Sequence, residues 1–218
     1  MTTEHPTPAT ERPTGAEAHW DGTYRQTARR WSGRPNPVLV DVAGTLVPGR
    51  ALDLGCGEGG DACWLAERGF TVTAVDVSAT ALERTSAHAV EAGVSDRVTV
   101  ARHDLADTFP AGVFDLVSAQ YLHSPVDMPR AAILRRAAAA VAPGGMLLVV
   151  GHAALPPWAP NPDADISFPT PQEVLTDLAL PTDTWHVQQA EVTSREATGP
   201  DGRTSVLTDS VVALVRTA

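Results

Sequence analysis

Residues able to do chemistry stand at the ends of short apolar runs. Asp53 lies in ALDL (51–54), and Gly55, Gly57 and Gly59 alternate in the segment GCGEGGD (55–61) that follows. Asp76 and Val77 end TVTAVDV (71–77), Asp104 ends VTVARHD (98–104) with Leu105 next, and Gln120, Tyr121 and His123 follow VFDLVSA (113–119). Carboxylates so placed can accept hydrogen bonds from hydroxyl or ammonium groups of a ligand. Glycines let the backbone approach that ligand where a Cβ would collide. An imidazole such as that of His123 has an ordinary pKa suited to proton transfer near neutral pH.

These residues meet only if a scaffold gathers the run ends. The apolar runs at 51–54, 71–77, 98–104, 113–119 and 146–150 predict buried strands, separated by amphipathic stretches that predict helices near 61–68, 79–92 and 128–142. Gly69, Gly93 and Pro143-Gly144-Gly145 are their stops, and Ser78 can cap the second. Repeated strand, helix, strand implies an α/β fold with a parallel sheet and helices on both faces. In such sheets a ligand binds beyond the carboxyl ends of the strands.

The two ends of the chain depart from this alternation. Residues 1–16, rich in Thr, Pro and Glu, are expected to form a disordered tail. Trp20, Tyr24, Ala28 and Trp31 recur at helical intervals, and Gly33-Arg34-Pro35-Asn36-Pro37 stops that helix. Asn36 and Pro37 suit the cap and first turn of a second helix through Gly44. After a Pro-rich loop (151–169) and a helix from about Pro171, the runs 185–192 and 206–215 flank the turn Gly199-Pro200-Asp201-Gly202, so this pair must be antiparallel. One domain over 17–218 is expected, with a helical lid (17–48), a cofactor-binding core (49–150), and a substrate loop with the terminal strands (151–218).

Composition excludes several partners. The 218 residues carry a net charge of −10, and all sixteen basic residues are Arg, a poor balance for a nucleic-acid ligand. No apolar run is long enough to cross a bilayer, and MTTEHPTPATERPTGAEAHW has neither a basic start nor an apolar stretch, so a cytoplasmic location is expected. The partners expected are a small-molecule acceptor, with no nucleic acid and no membrane, in a monomer or homodimer. Cys56 and Cys63 make neither a disulfide framework nor a zinc site, and no His or acidic cluster has metal-ligand spacing.

The Gly-rich segment admits two readings. Gly55-x-Gly57-x-x-Gly60 fits a dinucleotide fingerprint, which alone is weak. Against it, the chain begins with a helical prelude, and Asp53 suits a ligand ammonium group better than a pyrophosphate. Taken together, LDLGCGEGG, VTAVDVS, ARHDLAD, FDLVSAQYLHS and VAPGGMLLVV resemble the successive motifs of the class I S-adenosylmethionine-dependent methyltransferases over residues about 17 to 218. The resemblance implies a Rossmann-like seven-stranded sheet in the order 3-2-1-4-5-7-6 with strand seven antiparallel, S-adenosylmethionine as cofactor, and S-adenosylhomocysteine as product. WDGTYRQTARRWSGRPNPVLV looks most like the small-molecule branch containing the thiopurine and tellurite-resistance methyltransferases.

The resemblance also assigns roles, each beside a plainer one. Asp53, Gly55, Gly57, Gly59, Asp76, Val77, Asp104, Leu105 and Gln120 are expected at the cofactor, with Asp76 at the ribose and Asp104, rather than His103 or Asp107, at the adenine amine. Asp53 can alternatively close an Asx turn. Tyr121 can meet the sulfonium or the substrate, or be a half-buried core tyrosine. His123 is either a general base or a packing residue. Trp20, Tyr24, Trp31, Arg34, His152 and Trp158 are the candidates for the substrate pocket; the aromatic stripe can equally be core, and Arg29, Arg30 and Arg34 a solvated face. The expected reaction is in-line methyl transfer to an O, N, S or chalcogen atom, driven by proximity and orientation. Binding of the cofactor without transfer, or an NAD-dependent oxidoreductase, are the alternatives.

Overall fold

The protein was analysed as a computed structural model that describes residues 15–159, 166–199 and 201–217. The expected tail therefore lies almost wholly outside the described residues. Elements run in the order α1 (Gly15–Arg25), α2 (Pro37–Ala43), β1 (Arg50–Leu54), α3 (Gly60–Glu67), β2 (Thr71–Asp76), α4 (Ala79–Glu91), β3 (Val98–Arg102), β4 (Phe114–Gln120), α5 (Arg130–Ala139), β5 (Val141–His152), α6 (Pro171–Leu178), β6 (Trp185–Thr198) and β7 (Thr204–Arg216).

Seven strands form one sheet in the order β3-β2-β1-β4-β5-β7-β6. β7 runs antiparallel to both β5 and β6, while the other pairs are parallel. This is the Rossmann-like arrangement that the motifs imply. Alternation along the strands sorts side chains to two cores. Leu52, Leu54, Val117 and Leu147 meet Ile133 of α5 and Val174 of α6 on one face. Ala51, Leu116, Leu148 and Val150 meet Leu39 of α2 and Leu65 of α3 on the other. Strand ends β1, β2 and β4 thereby open on one edge, bounded by the turns after each.

Beyond shifts of one to three residues, such as α1 starting at Gly15 inside the expected tail and β3 ending at Arg102, three boundaries differ from the sequence expectation. The first helix stops at Arg25, so Trp31 is not on it, and residues 26–36 are irregular. Side chains from the core capture the backbone there, as the site shows. β5 starts at Val141 and passes through Pro143-Gly144-Gly145, the expected stop, with a register shift opposite Phe114 and Leu116. Gly145 lies so close to the Asp115 carbonyl that a Cβ would sit 2.9 Å from it, which explains a glycine inside the strand. β6 and β7 extend past the end of β5 as a two-stranded ribbon, pairing Ser194 with Thr208 and Thr198 with Thr204.

α2 is the tie between the N-terminal segment and the sheet. Asn36 caps it by accepting from the Val38 N–H (2.9 Å), and its side-chain amide donates to Oε1 of the Gln120 side chain at the end of β4 (2.7 Å). Asn36→Ala removes both at once. Urea unfolding of that variant is expected to give a loss of about 1–2 kcal/mol with an unchanged m value.

Candidate functional site

The turn between β1 and α3 is built on glycines with positive φ: Gly55 (69°), Gly57 (55°) and Gly59 (80°). The N–H groups of Gly55 and Cys56 both donate to the Val75 carbonyl, at 2.8 and 2.9 Å, which ties the turn to β2. The turn is crowded from several sides. A Cβ on Gly57 would lie 3.0 Å from the Tyr24 hydroxyl, one on Gly59 2.6 Å from Thr85 Cγ2, and one on Gly60 3.0 Å from the Arg34 carbonyl oxygen. These glycines are needed by the protein's own packing as well as by any ligand.

Carboxylates gather around this turn. Asp53 is buried at 2% exposure, and its Oδ2 has no hydrogen-bond partner. Burial, reinforced by the negative charges of Asp61 and Asp76, pushes its pKa well above the ordinary carboxylate value. Asp61 accepts from the Asn36 N–H at 2.6 Å, and burial raises its pKa to about 6. Asp76 accepts from the N–H groups of Gly57 (3.0 Å) and Ser78 (2.9 Å); burial still raises its pKa, against those bonds. Such a cluster is short of positive charge, and it fits a ligand that brings an ammonium group to Asp53 and hydroxyls to Asp76. An Asx turn at Asp53 leaves Oδ2 unexplained.

The chain preceding α2 lies against the same turn. On α1, Asp21 accepts from the Ser78 hydroxyl and from the Thr80 N–H, at the start of α4. Tyr24 is buried and accepts from Trp31 Nε1 at 3.3 Å, while Trp31 itself is 51% exposed. Trp20 donates to the Ser124 hydroxyl, just past β4. Arg29, Arg30 and Arg34 are exposed, Arg30 lying over the Trp31 ring. Glu58, which sequence reasoning did not single out, is buried and accepts from the N–H groups of Arg30 and Trp31 and from Arg84.

At the end of β3, Asp104 accepts from the Ala106 N–H, His103 faces the Thr108 hydroxyl, and Leu105 is buried in the core beneath. Val77 is partly buried between Asp76 and Ser78. At the end of β4, Gln120 bridges Asn36 and the Ser118 hydroxyl. Tyr121 has φ of 50°, an unusual backbone for a bulky residue, of the kind that clusters at functional sites. Its hydroxyl donates to Asp209 (2.8 Å) and accepts from Arg195 (2.9 Å), and Arg195 also pairs with Asp209 at 2.6 Å.

His152 stacks on the Tyr121 ring at 4.4 Å, and Phe168 meets both His152 and His123 edge-on. Burial, aided by the Arg130 charge, lowers the His123 pKa to about 4, and burial lowers that of His152. His123 Nε2 is buried without a partner, packed so closely that a Cβ on Gly151 would lie 2.9 Å from it. Trp158 lies on Gly199 at the ribbon tip, where a Cβ would come within 2.8 Å of the indole. Asp209 and Arg195 were missed by sequence reasoning. Asp209 left a signal, an acid in the apolar run VLTDSVVALV; Arg195 left none. Among the described residues no His, Cys, Asp and Glu group could hold a metal ion, and no helix is long and apolar enough to cross a membrane.

Residues 51–145 match the family described as a methyltransferase domain. The chain is 33% identical over 156 residues to the 2-heptyl-1-hydroxyquinolin-4(1H)-one methyltransferase of Mycobacteroides abscessus, covering 67% of this chain and 66% of that one. It is 33% identical over 145 residues to the ubiquinone biosynthesis O-methyltransferase of Burkholderia ambifaria, covering 61% and 62%. The chain thus spans less than two thirds of the length of these curated relatives. Among solved structures, TehB from Haemophilus influenzae superposes with a TM-score of 0.65 at 19% identity, over 93% of this chain and 67% of that one. A structure described under the conversion of a disulfide bond into a thioacetal group during echinomycin biosynthesis superposes with a TM-score of 0.69 at 23% identity, over 92% and 91%. The family match and the two curated relatives favour the methyltransferase reading over the oxidoreductase one, and the two solved structures share the fold.

The neutral imidazole of His123 has a consequence for stability. A histidine whose pKa is lower in the folded chain contributes stability that is full above its unfolded value, 6.5, and is lost as pH falls toward about 4. His123→Phe is therefore expected to flatten the acid limb of the pH–stability curve. Near pH 5.5, proton uptake on unfolding falls by close to one proton, which denaturation series at several pH values will measure.

Proposed function

Because residues 51–145 match a methyltransferase domain and the sheet has the strand order of the class I S-adenosylmethionine-dependent methyltransferases, we propose that the chain transfers a methyl group from S-adenosylmethionine to a small molecule, with an aromatic hydroxyl as the first acceptor to try. The observation that carries the cofactor reading is Asp53: a buried carboxylate with an unpartnered oxygen, flanked by Asp61 and Asp76, calls for a cationic ligand. When bound, S-adenosylmethionine supplies a methyl group already activated by its sulfonium. Asp53 then receives the amino group of the ligand, Asp76 the ribose hydroxyls through its remaining lone pairs, and Asp104 with Leu105 the adenine. Val77 and Gly55, Gly57 and Gly59 provide close backbone, and Gln120 holds the β4 end in place.

The acceptor end is aromatic and holds imidazoles whose pKa values are lowered. Tyr121, His152 and Phe168 offer faces to a planar molecule, with Trp158 on the ribbon side. His123 is the weaker candidate for a base, since a conjugate acid near pKa 4 drives proton abstraction poorly and its Nε2 is packed against β5. Alignment of acceptor, methyl and sulfur, with water excluded, remains the main source of rate. The hydroxyquinolone and ubiquinone-pathway relatives support an oxygen acceptor. Arg34, exposed, is a poor candidate for gripping substrate, and Trp20, Tyr24 and Trp31 serve as cover over the cleft.

Calorimetric titration with S-adenosylhomocysteine, S-adenosylmethionine and NAD tests the cofactor reading. Both sulfur nucleotides are expected to bind and NAD not; NAD binding alone would overturn the reading. Asp53→Asn is expected to weaken S-adenosylhomocysteine binding about tenfold or more while stabilising the ligand-free protein. An acid whose folded pKa is raised contributes stability that is full below its unfolded value, 3.8, and lost as pH rises through the folded value. The gain in the Asn variant is thus larger at pH 8 than at pH 4, of order 1–3 kcal/mol. For the acceptor, turnover of 2-heptyl-1-hydroxyquinolin-4(1H)-one or a simple phenol is expected before that of amines, and mass-spectrometric detection of methylated amine alone would refute the choice of oxygen.

A further inference from the structure

Residues 25–32 lie over the Gly-rich turn, yet every one of them is exposed, so apolar burial does not hold them there. Polar contacts from the core do. Glu58 Oε2 accepts from the N–H groups of Arg30 (3.0 Å) and Trp31 (2.9 Å), and Glu58 Oε1 pairs with Arg84 at 2.6 Å. Arg84 Nη2 in turn donates to the carbonyl oxygens of Tyr24 (2.9 Å) and Thr27 (2.7 Å). One ion pair thus takes both kinds of backbone group left open where α1 ends. Its two members belong to the core, one in the Gly-rich turn and one on α4, and His88 steadies the first by contacting the Glu58 carbonyl oxygen at 2.7 Å.

What this clasp covers is the ligand side of the turn. The Tyr24 hydroxyl and Trp31 Nε1 stand 3.0 and 3.4 Å from where a Gly57 Cβ would be, and Gly57 itself donates to Asp76. We propose that Glu58 and Arg84 are positioning residues that clasp the 24–31 backbone over the cofactor cleft, so that the nucleotide exchanges only when the segment lets go of them. The proposal rests on the cofactor reading above. The clasp controls release of the nucleotide and touches no reacting atom.

Stopped-flow measurement of S-adenosylhomocysteine release and capture, in the wild type, Glu58→Gln and Arg84→Met, tests it, with amide hydrogen exchange at Arg30 and Trp31 as the structural readout. Release is expected to accelerate about tenfold or more in each variant, the scale of one lost charge-assisted hydrogen bond, and capture to accelerate with it, because the same segment must let go for entry. Exchange at Arg30 and Trp31 should rise while the β1 and β4 amides keep their protection. A loosened fold would instead raise exchange in the strands too. Release within about twofold of wild type in a folded variant overturns the clasp and leaves the cofactor reading intact, whereas no binding of S-adenosylhomocysteine to the wild type removes both. Two variants on different elements keep the test decidable if one does not fold.

Discussion

The backbone between β1 and α3 is approached from three directions at once, and that is possible only because it carries no side chains at the points of approach. Gly57 admits Tyr24 and Trp31, Gly59 admits Thr85 of α4, and Gly60 admits the chain at Gly33 and Arg34. Three of the turn's glycines also hold positive φ, which an L side chain would resist. The same turn therefore joins the sheet to α3, seats α4 and supports the N-terminal segment. A Gly-rich fingerprint is usually read as room for a ligand; here much of that room is filled by protein.

Two buried carboxylates near this turn show how burial distinguishes structure from function. Glu58 is surrounded by donors, and although burial alone would raise its pKa, the bonds from the Trp31 and Arg30 N–H groups and from Arg84 bring it below the ordinary value. Asp53 lacks such donors for one oxygen, and burial with two like charges drives its pKa up. A protein that needed Asp53 only for its fold would do as well with an apolar residue, since an unsatisfied buried acid destabilises the chain. The deficit makes sense as a group held ready for a cation that arrives with the ligand.

Strand ends were readable from the sequence because they depend on local pattern. Asp53, Asp76, Asp104 and Gln120 each follow an apolar run, and the parallel alternation of runs and helices requires their ends to share one edge of the sheet. The helical stripe from Trp20 to Trp31 misled for the opposite reason. Its spacing is helical, but partners 27 and 28 residues away take the N–H groups of Trp31 and Arg30, and partners 57 and 60 residues away take the carbonyls of Thr27 and Tyr24. Tertiary hydrogen bonds of that kind leave no periodic trace.

The proposed acceptor end is nonlocal throughout. Tyr121 reaches Asp209 across 88 residues and Arg195 across 74, while His152 joins from the end of β5 and Phe168 from the loop after it. None of these pairings can be inferred from spacing, and most of their members lie beyond residues 51–145, where the family match ends. A cofactor common to many enzymes can be served by a contiguous run of strand ends, whereas an acceptor is recognised by whatever the terminal ribbon and the post-β5 loop bring to the rim. Tyr121 is the joint between the two proposed halves: its backbone continues β4, whose end is proposed to serve the cofactor, and its side chain is held by Asp209 and Arg195 of the ribbon. The strained φ at Tyr121 is the local sign that two independently built halves meet at that residue.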